Sequence, residues 1–220
     1  QVAAAQSVVI YVRIGVNYLN AGTSWQAAKK TISAAMEAAS PGDQVWVGAG
    51  TYSERIVLRD GVALCGGFPP DGGDWESRNP ASNVTVIDGS QAGQVVAAAY
   101  GAGPDTRIDG FTITGGRADV GAGVYCFGSS PTISGNRIVS NSTAGYNGYG
   151  GGICCENASP VITGNVIQSN YAVVGGGIFV ASDSQPVISS NTITGNIASR
   201  VAGVYCADYS APVISDNTIS

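Results

Sequence analysis

The sequence has no histidine, a single methionine and few charges, with Asp, Glu, Lys and Arg together making up 11% of its 220 residues. Without an imidazole, the commonest general base is missing. Positive charge is scarcer still: the net charge is −5 and the pI about 4.5. That excludes a nucleic-acid binder, whose footprint is a basic patch. No apolar run approaches the ~18 residues of a membrane-spanning helix. No Ser or Cys has a base partner in a spacing that points to nucleophilic catalysis. What remains is a chain that is 44% apolar, with 32 glycines. It is long enough for a sizeable core, and its profile is that of a β-rich extracellular protein.

The stretch Gly121 to Ser220 repeats. Its segments begin GAGVYC, GGGICC, GGGIFV and VAGVYC. Pro131, Pro160, Pro186 and Pro212 fall 29, 26 and 26 residues apart, and Asn136, Asn165, Asn191 and Asn217 keep that spacing. A unit this short cannot bury a core alone, so it must stack on copies of itself as a solenoid coil. Val124, Ile153, Ile178 and Val204 form one column, and Cys126, Cys155, Val180 and Cys206 another two residues on. Strand side chains alternate, so both columns point inward. The residues between them, Tyr125, Cys154, Phe179 and Tyr205, point outward. Two further columns are isoleucines: 133, 162, 188 and 214, then 138, 167, 193 and 219. Three β-branched pulses per unit, closed by Gly, Asn, Ser or Pro, predict an all-β parallel β-helix with three strands per coil. The glycine and proline content and the absence of a 3.6-residue period within the repeat exclude a helical one.

The glycine-rich openings, the SPTI-like second strand at Ser130–Ile133 and the N-x-I-x-x-N pattern from Asn136 to Asn141 resemble the right-handed parallel β-helix proteins of bacterial and archaeal surfaces. That superfamily also holds pectate-lyase-like enzymes and polymorphic outer-membrane proteins. The upstream SWQAAKKTISAAMEAASPGDQVWVGAGTYSE, GGFPPDGGDW and SRNP are similar to the same family. The resemblance implies a right-handed coil. It leaves function open, because one solenoid hosts unrelated activities.

The whole chain, 1–220, reads as a single β-helix domain. Residues 1–7 form an extended arm, and 8–43 hold a strand and a capping helix that starts at Thr23 or Ser24 and runs to about Ala39, with Trp25 on its apolar stripe. Residues 44–120 build the first coils, interrupted by a long loop at 68–83, and 121–220 are the regular repeats. Gln1 in place of Met fits a removed secretory signal. No cap is legible after Ile219, so the last coil is expected to be covered by a further C-terminal region or another molecule. The arm of a neighbouring copy is a candidate, through strand addition.

Asn136, Asn165, Asn191 and Asn217 read as one structural ladder, and Asn141, Asn170 and Asn196 as a second. Glu156, Asp183 and Asp208 share one turn on successive coils and are the candidate calcium ligands; Asp71, Asp74 and Glu76 are a weaker group. No other cofactor is indicated. The lyases the chain resembles use a basic proton abstractor and often an acidic cluster holding calcium. Here Arg137 and Arg200 lie in different columns, so no catalytic set converges. Tyr125, Phe179 and Tyr205 form an outward aromatic stripe for a sugar or a neighbouring subunit. Asn83 and Asn141 are possible glycosylation sites, as is Asn157, disfavoured by Pro160. Of the five cysteines, Cys126 and Cys155 are expected to stack as buried thiols and Cys154 to face solvent. The leading functional expectation is a secreted or cell-surface structural solenoid that assembles head to tail into a filament or surface layer. The alternatives are a carbohydrate-binding or lyase-like module, and a fragment of an adhesin or passenger.

Overall fold

The computed structural model describes residues 7–220, so most of the expected 1–7 arm lies outside the described residues. Every strand pairing is parallel, and the strands stack into four sheets that run along one solenoid. The first sheet has eight strands, from Val9–Val12 to Val213–Ser215. The second has seven, from Gly50–Tyr52 to Thr218–Ile219, and the third has six, from Ile56–Leu58 to Val204–Cys206. Within a coil the chain visits them in that order, as in Thr132–Ser134, Arg137–Val139 and then Ile153–Glu156.

The predicted columns are register partners. Ile133 lies opposite Ile162, Ile162 opposite Ile188 and Ile188 opposite Ile214. Ile138, Ile167, Ile193 and Ile219 pair in the same way. All but Ile214 and Ile219 are fully buried, in one core that runs the length of the solenoid. Each buried isoleucine contributes about 2–3 kcal/mol of apolar burial, and the next coil repeats it at the same place.

The regular coils hold a fourth strand beyond the three expected. Arg117–Ala118, Ser142–Thr143, Tyr171–Val174 and Ile197–Arg200 make a four-stranded sheet between the second and third. Its first column, Arg117, Ser142, Tyr171 and Ile197, has no common chemistry, so no apolar pulse announces it.

The capping helix is shorter than the sequence predicts, running only Ile32–Ala38. Thr31 is the N-cap: its hydroxyl accepts from Ala34 N–H at 3.3 Å. The Glu54 carboxylate accepts from Ile32 and Ser33 N–H, both at 2.9 Å. At the other end, Arg59 donates to the carbonyls of Met36 and Glu37. The connections flanking the strand Ile56–Leu58 thus supply partners for backbone groups the helix leaves unpaired at both ends. Ile32, Ala35 and Met36 are buried and close the core. Thr23 and Ser24 do not start the helix, because Gly22 to Lys29 follows the edge of the first strand instead. Tyr11 N–H donates to Gly22 O, and Lys29 N–H to Tyr11 O.

Trp25, expected on the helix, belongs to an aromatic cluster on the outer face of the first sheet. Its ring lies 4.9 Å from Tyr11 and 5.6 Å from Phe68, while Trp46 stacks on Phe68 at 4.6 Å. The long loop lays Trp75 over this cluster. Arg78 anchors the loop by donating to Gly66 O and to the Asp109 carboxylate. The loop therefore covers the solenoid and does not break it.

Candidate functional site

The asparagine ladders are continuous. Asn136 Nδ2 donates to Asn165 Oδ1, Asn165 Nδ2 to Asn191 Oδ1 and Asn191 Nδ2 to Asn217 Oδ1, at 3.0–3.2 Å. Each oxygen also accepts the backbone N–H of the asparagine one coil earlier. The second ladder, Asn141 to Asn170 to Asn196, is built identically. Asn141 is 1% exposed and its amide donates to Ile113 O and Asn170 Oδ1. That corrects the glycosylation expectation: the ladder leaves no room for a glycan on Asn141. Asn83 is half-buried, donating to Gly67 O and Ser77 O, and Asn157 is the exposed member of the three.

The outer face of the third sheet differs from coil to coil. Val57, Ala97, Tyr125, Cys154, Phe179 and Tyr205 are successive register partners. Beside them runs a second column of Val120, Tyr149, Val174 and Arg200. The two columns face each other because the chain bends sharply between them. Gly121, Gly150 and Gly175 make that bend with φ of 58°, 63° and 66°, in the left-handed region that favours glycine. In the next coil the position is Val201, with φ of 49°. A little further along, a Cβ on Gly152 would come within 2.5 Å of Gly177 O, so the coils approach too closely there for any side chain.

The result is a concave lane with an apolar floor. Tyr125, Tyr149, Cys154, Val174, Phe179 and Tyr205 pack as a separate outer cluster. Cys154, expected at solvent, is 0% exposed, because the facing column covers it. Burial pushes its thiol well above the ordinary cysteine range, with the Glu156 carboxylate adding to the shift. Cys155 is pushed up by its hydrogen bond with Cys126 and by burial. All five cysteines are free, and Cys206 alone is exposed.

At one end the lane opens into a cleft of about 330 Å³ lined by Tyr149, Glu156, Phe179, Arg200, Tyr205 and Asp208, among others. Phe179 and Tyr205 stack at 5.6 Å with planes 6° apart, and Tyr149 lies 4.8 Å from Phe179. Phe179 is only 5% exposed, so this stripe is a packed floor and not a free row of rings. The Tyr125 hydroxyl donates to Glu156 Oε2 at 2.7 Å. Burial, and then that bond, raise the Tyr125 phenol above its usual range.

Glu156 and Asp208, two of the three expected calcium ligands, line this cleft, whereas Asp183 does not. Among the described residues no group of three or more His, Cys, Asp or Glu side chains is placed to hold a metal ion. The weaker acidic group is dispersed as well: Asp71 pairs with Arg13 and Asp74 accepts from Ser77 N–H. Arg137 and Arg200 lie on the second and fourth sheets. Sequence reasoning missed Tyr149 and Arg200 as cleft residues. Their signal was the position just before each glycine-rich bend, one residue ahead of Gly150 and of Val201.

No curated protein matches the sequence, and no solved structure does. A family model described as "Protein of unknown function (DUF1565)" matches residues 14–220. With nearly the whole chain matched, and with the parallel β-solenoid in place, the protein belongs to the DUF1565 family.

Proposed function

We propose that the protein is a structural solenoid that works outside the cell and is extended along its axis by head-to-tail stacking of copies. The observation that carries this reading is the in-register stacking of coil on coil along one axis, isoleucine on isoleucine and asparagine on asparagine. Such a stack is extended by any further coil that offers the same parallel edge and the same columns. Copies added along that axis meet through two different surfaces, so their contact is heterologous and gives an open fibre unless its rotation closes. Low charge and an apolar, glycine-rich composition support an extracellular setting.

The test is the solution mass over a hundredfold concentration range, for the wild type and for Ile214→Glu/Ile219→Glu. Growing oligomers in the wild type and single chains in the variant are expected. A wild type that stays one chain throughout sinks the reading.

The lateral cleft favours a second reading, a carbohydrate-binding module. Aromatic rings, two carboxylates and a guanidinium share one concave surface, which is the mix that holds a hydroxylated ring. Binding of oligosaccharides lost on Tyr205→Ala, without loss of fold, is the expected result. Retention of full affinity in that variant removes the cleft from consideration.

A further inference from the structure

The charges of the lateral cleft select among carbohydrates, and the selection rests on the second reading above. Two carboxylates, Glu156 and Asp208, and one guanidinium, Arg200, line it. None of the three takes part in an ion pair; those found among the described residues are Arg13–Asp71, Arg78–Asp109 and Arg107–Asp109. Glu156 is held at the wall by the Tyr125 hydroxyl, which occupies one carboxylate oxygen and leaves the other open. The rings of Phe179 and Tyr205, and of Tyr149 in the same column as Arg200, line the cleft with these charges. The cleft therefore carries a net negative charge over an aromatic floor.

An acidic sugar fits this badly. One carboxylate of a uronate can reach Arg200, but the rest of a polyuronate chain is pressed against Glu156 and Asp208, and like charges at close quarters are unfavourable. A hydroxylated ring bearing an ammonium group fits throughout. Its cation lies toward the carboxylates and over tyrosine faces, which attract cations. Its ring and hydroxyl oxygens accept from Arg200, and its apolar face rests on Tyr205.

We propose that this cleft binds an amino sugar, a hexosamine with a free amine, through Glu156 and Asp208 for the ammonium, Arg200 for the sugar oxygens and Tyr205 for the ring. The volume of about 330 Å³ is of the size of one or two sugar rings, within the range of small-ligand sites.

The experiment is calorimetric titration of the full chain with a glucosamine tetramer, its fully N-acetylated form, a galacturonate tetramer and tetralysine. The variants are Glu156→Gln, Asp208→Asn and Tyr205→Ala, with Glu37→Gln, on the capping helix, as a charge control. The proposal expects the glucosamine tetramer to bind tightest. Each neutralisation in the cleft weakens it by about tenfold, as loss of a charge-assisted hydrogen bond does, and Glu37→Gln leaves it unchanged. Tighter binding of the acetylated or galacturonate oligomer, lost on Tyr205→Ala, overturns the amino-sugar assignment and leaves the carbohydrate cleft standing. Equal binding of tetralysine overturns the sugar and leaves only charge. If no sugar binds, or binding ignores all three cleft variants, the assignment and the cleft reading fall together. Each variant is expected to keep the unfolding temperature of the wild type, read on the same samples, and the ranking of the four ligands on the wild type tests the assignment whichever variants fold.

Discussion

The inside of the solenoid and the outer face of its third sheet follow opposite rules. Inside, each coil repeats its neighbour: isoleucine on isoleucine, asparagine on asparagine. Outside, the column changes from Val57 and Ala97 to Tyr125, Phe179 and Tyr205, with Cys154 interrupting the rings. The inner columns can be uniform because the coils are nearly identical in cross-section, and any departure leaves a void or an orphaned amide. The outer column is free to vary because a neighbouring sheet or solvent adapts to it. The repeat thus encodes the fold, and departures from the repeat mark where the surface acquires chemistry.

The sharpest way to break that contrast is Asn165→Ala. It removes the acceptor for Asn136 N–H and the donor to Ile133 O. Each buried group left unpaired costs about 1–3 kcal/mol, for a total of roughly 4 kcal/mol. Urea unfolding reads the loss, and a cost below that of Tyr205→Ala on the outside contradicts the division.

A second test uses pH at a site where the outer face has become core. Cys65 lies on the outer side of the first sheet, and burial pushes its thiol from 9.0 to about 11, with Arg78 pulling the other way. Because the folded value is raised, the neutral thiol is the form that folding favours. Its contribution is complete below pH 9 and is lost as pH rises to about 11. The slope is roughly 1.4 kcal/mol per pH unit in that window. Subtracting the profile of Cys65→Ser isolates it from other groups shifted the same way. Identical profiles for wild type and variant mean that the loop does not seal the thiol.

How much of this the sequence discloses follows the same divide. The isoleucine and asparagine columns were legible because each repeats at a fixed spacing, and they land in register. The fourth strand was not, since Ser142, Tyr171 and Ile197 share no property. The local pattern misplaces the helix start because Thr23, Ser24 and Trp25 satisfy a capping motif. The long-range pairing of Gly22 and Lys29 with Tyr11 overrides it. Strand alternation alone puts Cys154 at solvent, because it names a face but not what covers it. The cleft was half legible: Glu156, Asp208, Phe179 and Tyr205 came from the repeat, whereas Arg200 and Tyr149 are brought beside them only by the bend.

Smaller effects sharpen the outer side. Tyr125→Phe deletes one hydroxyl and its bond to Glu156. The expected loss of stability is about 1 kcal/mol, with binding at the cleft weakened because the carboxylate is no longer held; unchanged values in both measurements would detach Tyr125 from the site. Val201→Gly restores the residue that the earlier coils place at this bend. Relief of left-handed strain, about 1–2 kcal/mol, exceeds the entropic cost of glycine, so a gain of about 0.5 kcal/mol is expected. A loss of stability would mean that the valine side chain contributes packing at the mouth of the cleft.

The axial claim is tested most directly by negative-stain electron microscopy of the wild-type protein over a range of concentrations. Eight stacked strands in the first sheet at ~4.8 Å each predict fibres with a subunit repeat of roughly 40 Å along the axis. Fibres with that repeat, absent in Ile214→Glu/Ile219→Glu, are the result expected from stacking through the coil Val204–Ile219. Separate single rods at every concentration would contradict it.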